Sequence, residues 1–511
     1  MRSPLPPLWL AVALLGCASR EPEPARGKEP AVEPSAAPPA EPAAAVPGAP
    51  SAPAPPAGPG EARVWAKTRF VWVHPEPGSE GWIGFLWFGG SVKLKEPGPK
   101  SGPGCSKWYA IEPRGWVCVD GVRATLDERD PALVALRPYA PNVSTPWPHK
   151  YGESRGVNRY AEIPKRTEQR QREWDLEEHT DRVAAARRGE KVHESLVGVD
   201  LSPATSPAFS LGKLPSTVHE PRKRLLPLST VAYSAEAAGE DRTWLLSADL
   251  LWVPKDRVVP YKQVTFQGVH LGKDAKLPLA FFRSKDRPKF KAEGGKLVEL
   301  GERFARLSFV ELTGEKREQD GTTYLETRQP GIWVKKADAV LPVPQEKTPW
   351  GAPVGGEDTQ QGPAGRRTWI ESSVWEGWMI AFEGTRPVFA TLIAPGRGGT
   401  PARGIPAIDT AATPVGVFPI TGKFATATMV APGDYVHSDV PWAQNFSGPH
   451  ALHGAYWHDD WGDRKSGGCV NVSPIDGKWL FEFTEPPMPE GWHGVRWRPN
   501  VEPATTFIVH P

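Results

Sequence analysis

The stretch that decides the fold runs from His453-Gly454 to Ser466-Gly467-Gly468-Cys469-Val470-Asn471. It places a histidine sixteen positions before a cysteine and puts small residues next to the thiol. A thiolate is a strong nucleophile, and a neighbouring imidazole can lower the pKa of a thiol and carry its proton. Two strands joined by a loop of this length can bring both residues together. The pattern predicts covalent chemistry at Cys469, with His453 as the base.

The other three cysteines have separate predicted roles. The chain has four, and the remaining three are Cys17, Cys105 and Cys118. Cys105 and Cys118 bracket a predicted hairpin, and an exported protein can keep a bond between strand ends that meet there, so we predict a disulfide. The chain has no CxxC pair and no HExxH segment. A zinc or other metal site is therefore not predicted.

The N-terminus has the features of a bacterial lipoprotein leader. Its apolar run, Leu8 to Leu15, is shorter than the about 20 residues that span a bilayer, and suits a secretory signal over residues 1–17. Leu14-Leu15-Gly16-Cys17 resembles a lipobox, which implies cleavage before Cys17 and diacylglycerol on its thiol. The next residue is Ala18. An aspartate at this position would indicate retention in the inner membrane, so alanine favours the outer membrane. We expect a periplasmic protein that is lipid-anchored to the outer membrane of a Gram-negative bacterium; a signal peptide cleaved elsewhere is the alternative.

Composition favours a mainly β fold. The 511 residues include 59 prolines, 51 glycines and 22 tryptophans; proline and glycine punctuate short elements, and aromatic side chains fill small β-cores. Residues 18–61 are almost all Pro, Ala, Glu and Gly, which predicts a disordered tether. The net charge of +2 gives no argument for nucleic acid. Gly416 to Lys423 has the wrong spacing for a phosphate-binding loop and is followed by Phe424, so no nucleotide is predicted.

One aromatic pattern recurs in the middle of the chain. Residues 107–119, 243–256 and 323–338 each place an aromatic residue before a turn and Trp-Val after it. The pattern resembles the closing hairpin of a bacterial SH3-like barrel, a module that often holds cell-wall peptides. The module boundaries that we predict are 62–135 for a first SH3-like module, 136–276 for a helical linker with a partial module, 277–345 for another SH3-like module and 346–366 for a linker. Dense charge around Trp174, Leu176 and Val183 predicts one helix over 167–188.

The C-terminal part carries four motifs in a fixed order. They are T-P-V-G-V-F at 413–418, V-P-W-A-Q-N-F at 440–446, A-L-H-G-A-Y-W-H-D-D at 451–460 and S-G-G-C-V-N at 466–471. Strand-like runs surround them, including Thr368–Glu371 and Trp378–Phe382. In this order the motifs resemble an L,D-transpeptidase catalytic domain (YkuD-like), and the resemblance covers residues 367–511.

That resemblance implies a β-sandwich, a reaction and a set of roles. The implied substrate is a peptidoglycan stem tetrapeptide: the cysteine attacks the carbonyl of its third residue, expels the terminal D-alanine and passes the acyl group to an amine. No cofactor is implied. The backbone carbonyl of Gly454 would hold the second nitrogen of the His453 ring. Backbone N–H groups around Gly467, Gly468 and Cys469 would form the oxyanion hole, and Ser466 and Asn471 would support the substrate-binding loop.

One departure and two rival functions remain open. The family usually has a histidine where this chain has Gly467; the site works without it, or His458 supplies an imidazole, or the domain is slow or altered in acceptor choice. The first rival is an L,D-carboxypeptidase, in which water replaces the amine. The second is a wall-binding lipoprotein with a weakened catalytic domain. A papain-like protease is disfavoured, because there the cysteine precedes the histidine. Asp459 and Asp460 are expected to be solvated.

Overall fold

The computed structural model describes residues 62–212, 222–357, 367–431, 433 and 435–511, and the backbone of Leu14–Leu15. The other predictions for the N-terminus, including the one for Cys17, lie outside the described residues. The strands are, in chain order, β1 Leu14–Leu15, β2 Arg63–Ala66, β3 Val71–Val73, β4 Gly84–Leu86, β5 Ser91–Lys93, β6 Lys100–Gly102, β7 Cys105–Ala110, β8 Trp116–Cys118, β9 Ala124–Thr125, β10 Lys150–Asn158, β11 Arg224–Gly239, β12 Arg242–Ser247, β13 Trp252–Pro254, β14 Val258–Pro260, β15 Val269–His270, β16 Leu279–Phe281, β17 Arg287–Glu293, β18 Lys296–Phe304, β19 Phe309–Gln319, β20 Thr322–Thr327, β21 Ile332–Lys335, β22 Thr368–Ser373, β23 Trp378–Glu383, β24 Arg386–Leu392, β25 Gly416–Pro419, β26 Gly422–Ala431, β27 Tyr435–Ser447, β28 His450–Gly454, β29 Val470–Val472, β30 Gly494–Arg496 and β31 Thr506–His510.

Helices are few by comparison. The α-helices in the described part are α1 Pro131–Leu136, α2 Arg166–Arg172, α3 Leu176–Arg187 and α4 Pro474–Phe483. The fold is therefore mainly β, as the composition predicted. Within the described residues, no helix is long and apolar enough to cross a membrane.

Two facing sheets form the C-terminal β-sandwich. One sheet has the order β29-β28-β27-β26-β30-β4-β3, with β1 pairing β26, and the other has the order β15-β24-β23-β22-β31-β25. The predicted pair of strands, β22 and β23, is antiparallel and in register from Thr368 to Ser373. A continuous apolar core fills the space between the sheets and includes Ile370, Phe446, Leu452, Val470 and Phe507. Strands β28 and β29, which carry the motif residues, lie at one edge of this sandwich.

The three aromatic signatures each form a hairpin, but the predicted small barrels do not close. The hairpins are β7–β8, β12–β13 and β20–β21. Strands β3 and β4 of the 62–135 segment join the C-terminal sheet, where Phe85 lies opposite Gly494 in β30. Strand β4 thus pairs with a strand from outside residues 62–135, so the strands of this segment do not close into a barrel. Residues 277–345 form an open six-stranded sheet, β16-β19-β20-β21-β17-β18.

The helix predicted over 167–188 is broken in two. Helix α2 ends at Arg172 and α3 begins at Leu176. Between them the Glu173 side chain is buried, and it accepts hydrogen bonds from Arg242, Arg257 and Tyr160. Because those partners fix the Glu173 carboxylate in the interior, the chain leaves helical geometry there, and Trp174 is turned out with 87% of its surface exposed.

Candidate active site

Parallel pairing of β28 and β29 places the predicted base and nucleophile on one face of the sheet. Leu452 lies opposite Val470, and His453 lies opposite Asn471. Leu452 and Val470 face the sandwich core, and side chains alternate between faces along a strand. Ala451, His453 and Cys469 therefore share the opposite face. The Ala451 N–H donates to Cys469 Sγ at 3.4 Å, which fixes the thiol beside the start of β28.

His453 has the tautomer that a base needs. Its Nδ1 lies 3.2 Å from the carbonyl oxygen of Gly454. A carbonyl only accepts, so Nδ1 carries the proton and Nε2 keeps its lone pair. The Nε2 atom is buried and has no hydrogen-bond partner among the described residues. The Gly454 contact is the one that the family resemblance implied.

The loop before the nucleophile is braced by Ser466. Its hydroxyl donates to the carbonyl oxygen of Cys469 and accepts the Gly468 N–H at 3.1 Å. The Gly468 N–H, which we expected to be an oxyanion donor, is therefore already used within the loop. Gly468 has a φ of +123°, and a Cβ there would lie 2.6 Å from the carbonyl oxygen of Ala412. The close approach of two backbones thus requires glycine at this position.

Two further histidines, His450 and His458, lie near Gly468 and Asn471, and the sequence pointed only to His458. His450 donates from Nδ1 to the Ser447 carbonyl at 3.0 Å, and its ring atoms Cδ2 and Nε2 lie 3.1 Å from where a Gly468 Cβ would stand. Sequence reasoning assigned His450 no role, because only the fold brings residues 450 and 468 together. His458, which we considered as a substitute imidazole, contacts Asn471 instead.

His458 and Asn471 form a neutral pair. Burial lowers the pKa of His458 to about 4. Its Nδ1 accepts the N–H of Asp460 at 3.2 Å, so the proton lies on Nε2, which is 3.1 Å from Asn471 Nδ2, while Asn471 Oδ1 has no partner among the described residues. An Nε2–H group is satisfied when that amide presents its oxygen. The Asn471 backbone also exchanges two hydrogen bonds with Ala394, so this residue braces the nucleophile loop from two sides.

The predicted disulfide is present, Cys469 lies outside it, and no metal site is found among the described residues. Cys105 and Cys118 are joined in a disulfide with a Cα–Cα distance of 5.9 Å, at the β7–β8 hairpin. Cys469 takes no part in a disulfide and is fully buried. Within the described part of the chain, no group of three His, Cys, Asp or Glu side chains could hold a metal.

The C-terminal domain matches a known family. Residues 368–497 match the sequence model of the L,D-transpeptidase catalytic domain, YkuD. The match covers β28, which carries His453, and β29, which begins directly after Cys469. The match therefore concerns this domain. No curated protein matches the chain.

Among solved structures, several L,D-transpeptidases are similar to this chain. A cysteine-to-serine mutant from Enterococcus faecium is 23% identical over 28% of this chain and 49% of its own, with a TM-score of 0.21. An NMR structure of the catalytic domain from E. faecium is 25% identical over 28% of this chain and 95% of its own, with a TM-score of 0.20. An enzyme from Mycobacterium smegmatis is 14% identical over 44% of this chain and 78% of its own, with a TM-score of 0.21. The chain spans about half the length of the first of these relatives.

Proposed function

We propose that this protein is a cysteine-dependent peptidoglycan L,D-transpeptidase that acts on stem tetrapeptides. The observation that carries the proposal is the pairing of β28 with β29. It places Cys469 and His453 on one face, with the His453 Nδ1 proton held by Gly454. A thiol and a buried imidazole lone pair are the two groups that acyl transfer requires. Residues 368–497 match a family of such enzymes, which supports the same reaction.

In the proposed cycle, His453 moves one proton back and forth. Its Nε2 takes the proton of the Cys469 thiol, and the thiolate attacks the carbonyl carbon of the third residue. The tetrahedral intermediate collapses when Nε2 returns the proton to the departing amine of D-alanine, which leaves a thioester on Cys469. An acceptor amine then attacks the thioester, its proton passes to Nε2 and returns to the thiol, and the product amide is released. The N–H groups of Gly467 and Cys469 are the proposed oxyanion donors.

Burial of the site sets a condition on this cycle. Both Cys469 and His453 have 0% of their surface exposed. The apolar cluster that contains Cys469 continues into the middle of the chain through Tyr160, Trp244 and Trp252. Substrate entry therefore requires neighbouring residues to move. Water reaches a buried thioester with less rearrangement than a peptide amine does, so the L,D-carboxypeptidase, in which water attacks the thioester, is retained as the second candidate.

We further propose that the protein works at the cell wall from a lipid anchor on Cys17, in the periplasm and on the outer membrane. The lipobox-like leader and the Pro/Ala-rich segment after it support this location. The SH3-like hairpins are proposed to hold wall peptides. A cavity of about 730 Å³ lies between the first of these segments and Pro489 and Glu490 of the C-terminal domain, and its lining includes the charged residues Arg63, Lys95, Glu96 and Glu112.

The test is incubation of the purified protein with a disaccharide tetrapeptide and mass analysis of the products. Loss of D-alanine with formation of a cross-linked dimer is expected; loss without a dimer identifies the carboxypeptidase. Cys469→Ala and His453→Gln should each abolish both products. An unchanged substrate, together with no imipenem adduct on Cys469, would show that the domain is not an enzyme of this kind. A wall-pelleting assay then tests the binding role separately.

A further inference from the structure

The loop between base and nucleophile, residues 455–468, is held from outside the catalytic domain. Arg306 lies in the 277–345 sheet, between β18 and β19. Its Nη1 donates to Asp459 Oδ2 at 3.0 Å and its Nη2 donates to the Asp459 backbone carbonyl at 2.6 Å. One guanidinium therefore binds both the side chain and the main chain of one loop residue. Asp459, expected to be simply solvated, is an anchor point.

A second contact lies three residues further along the loop. Arg283 donates from Nη1 to the carbonyl oxygen of Gly462, and Ser284 donates to Asp463 Oδ2 at 2.8 Å. Gly462 has a φ of +92°, and a Cβ there would stand 2.8 Å from the Cβ of Arg283. The loop backbone thus packs directly against the 277–345 sheet, with no room for a side chain between them.

The anchored residue adjoins the site. Asp459 follows His458, whose imidazole contacts the Asn471 amide at 3.1 Å. Asn471 is two residues after Cys469 and lies opposite His453 in the β28–β29 register. A shift of Asp459 would therefore pull His458 from Asn471 and loosen the strand that presents the thiol. Reactive groups need to be held closely, because displacement by about 1 Å can cost orders of magnitude in rate.

We propose that Arg306 and Arg283 are positioning residues of the active site, and that residues 277–345 are a structural part of the catalytic unit. This proposal rests on the proposed function. Each ion pair is partly exposed and is weak by itself, but several contacts on one short loop restrict it together. A segment that only held cell-wall peptides would have no need to bind the loop between His453 and Cys469.

The test uses the full chain with Arg306→Gln, Asp459→Asn and both together, and has two readouts. The first is the rate of Cys469 acylation by imipenem, a small probe that needs no cell wall. The second is hydrogen exchange in residues 455–468. Arg306→Gln is expected to slow acylation by about tenfold and to raise loop exchange by a similar factor. The double variant should be little slower than Arg306→Gln alone, because that change already removes both contacts to Asp459, whereas Asp459→Asn leaves the contact to the backbone carbonyl.

The matched control is Arg328→Gln. Arg328 belongs to the same sheet and pairs with Glu311 at 3.9 Å within it. We expect both readouts to stay within about twofold of the parent there. Equal acylation and exchange in the Arg306→Gln variant and the parent would overturn the proposal, as would equal losses in the control. If imipenem does not acylate the parent and the tetrapeptide is also unchanged, the proposed function fails, while hydrogen exchange still decides whether the 277–345 sheet holds the loop.

Discussion

Asp476 is a buried carboxyl group in the helix that follows β29 in the chain. It lies in the first turn of α4, accepts the Thr391 hydroxyl at 2.6 Å and accepts the Gly268 N–H at 2.9 Å. Burial nevertheless raises its pKa to about 6. Loss of hydration destabilises the ionised carboxylate by more free energy than these hydrogen bonds contribute to it. Asp476 therefore makes the free energy of unfolding depend on pH.

The sign follows from where the proton binds. The pKa is higher in the folded state, so folding takes up a proton between about pH 4 and pH 6, and stability falls as pH rises through that window. This rise in the pKa of Asp476 to about 6 corresponds to about 3 kcal/mol in the free energy of unfolding. Asp476→Asn cannot ionise, so it does not lose stability in this way. From pH 4 to pH 7, its free energy of unfolding, measured by urea titration, should therefore rise relative to that of the parent by up to that amount. A difference that stays constant with pH would contradict this prediction.

Gly468 is the second residue whose replacement gives a sharp result. Its positive φ and its contacts with the Ala412 carbonyl and the His450 ring leave no space for a methyl group. We expect Gly468→Ala to destabilise the fold by about 1–3 kcal/mol and to suppress the imipenem adduct on Cys469. Gly404 also has a positive φ, +77°, but nothing lies within 4 Å of its Cβ position. Gly404→Ala thus separates backbone strain from the clash; equal urea midpoints for the two variants would argue against the clash.

At this scale the sequence indicated candidate reacting residues, and of their surroundings it indicated only the contact between His453 and Gly454. Cys469, His453 and Gly454 belong to a short motif whose spacing carries chemical meaning. The use of the Gly468 N–H by Ser466 is a matter of loop geometry. The approach of His450 to Gly468 needs the β28–β29 pairing, for which the sequence holds no local signal.

At the scale of elements, the break between α2 and α3 comes from a buried ion network. Glu173 accepts from Arg242 Nη1 at 2.9 Å and from Arg257 Nε at 2.9 Å. Arg242 also pairs with Asp256, at 2.6 Å. Strand alternation and aromatic spacing are local and predicted the hairpins, whereas the two arginine partners of Glu173 lie about 70 and 80 residues away in sequence. The periodicity of apolar residues therefore does not predict this break in the helix.

Removal of one charge from this network should be costly. Glu173→Gln removes the charge that Arg242 and Arg257 share and leaves Arg242 with Asp256 alone and Arg257 with Asp175 alone, and we expect a loss of about 3 kcal/mol in the free energy of unfolding. Glu178→Gln is the control, because Glu178 forms an i,i+4 pair with Arg182 on the exposed side of α3 and should cost less than about 0.5 kcal/mol. Chemical denaturation of both variants measures the difference. A similar small loss in both would show that the Glu173 network is not stabilising.

At the scale of the whole molecule, the N-terminal and C-terminal segments share one interior. Strand β4 pairs with β30, and the core of residues 62–135 includes Trp492 and Val495 from the far end of the chain. A buried ion pair at 3.1 Å joins Arg69 to Asp439. The sequence suggested a row of separate modules, because composition and hairpin patterns mark segments but cannot show which segments pack together.

This sharing predicts that the catalytic domain does not fold well alone. A fragment of residues 367–511 would lack β3 and β4 at one edge of its sheet and would expose the apolar face that Phe85 and Trp87 cover beside Phe424. An uncovered sheet edge and face favour aggregation. We expect the fragment to bind an apolar dye and to lack a sharp thermal transition, whereas residues 62–511 unfold in a cooperative transition that includes both ends of the chain. Calorimetry of the two proteins measures this, and a fragment that unfolds cooperatively at the temperature of the longer protein would establish the catalytic domain as an independent unit.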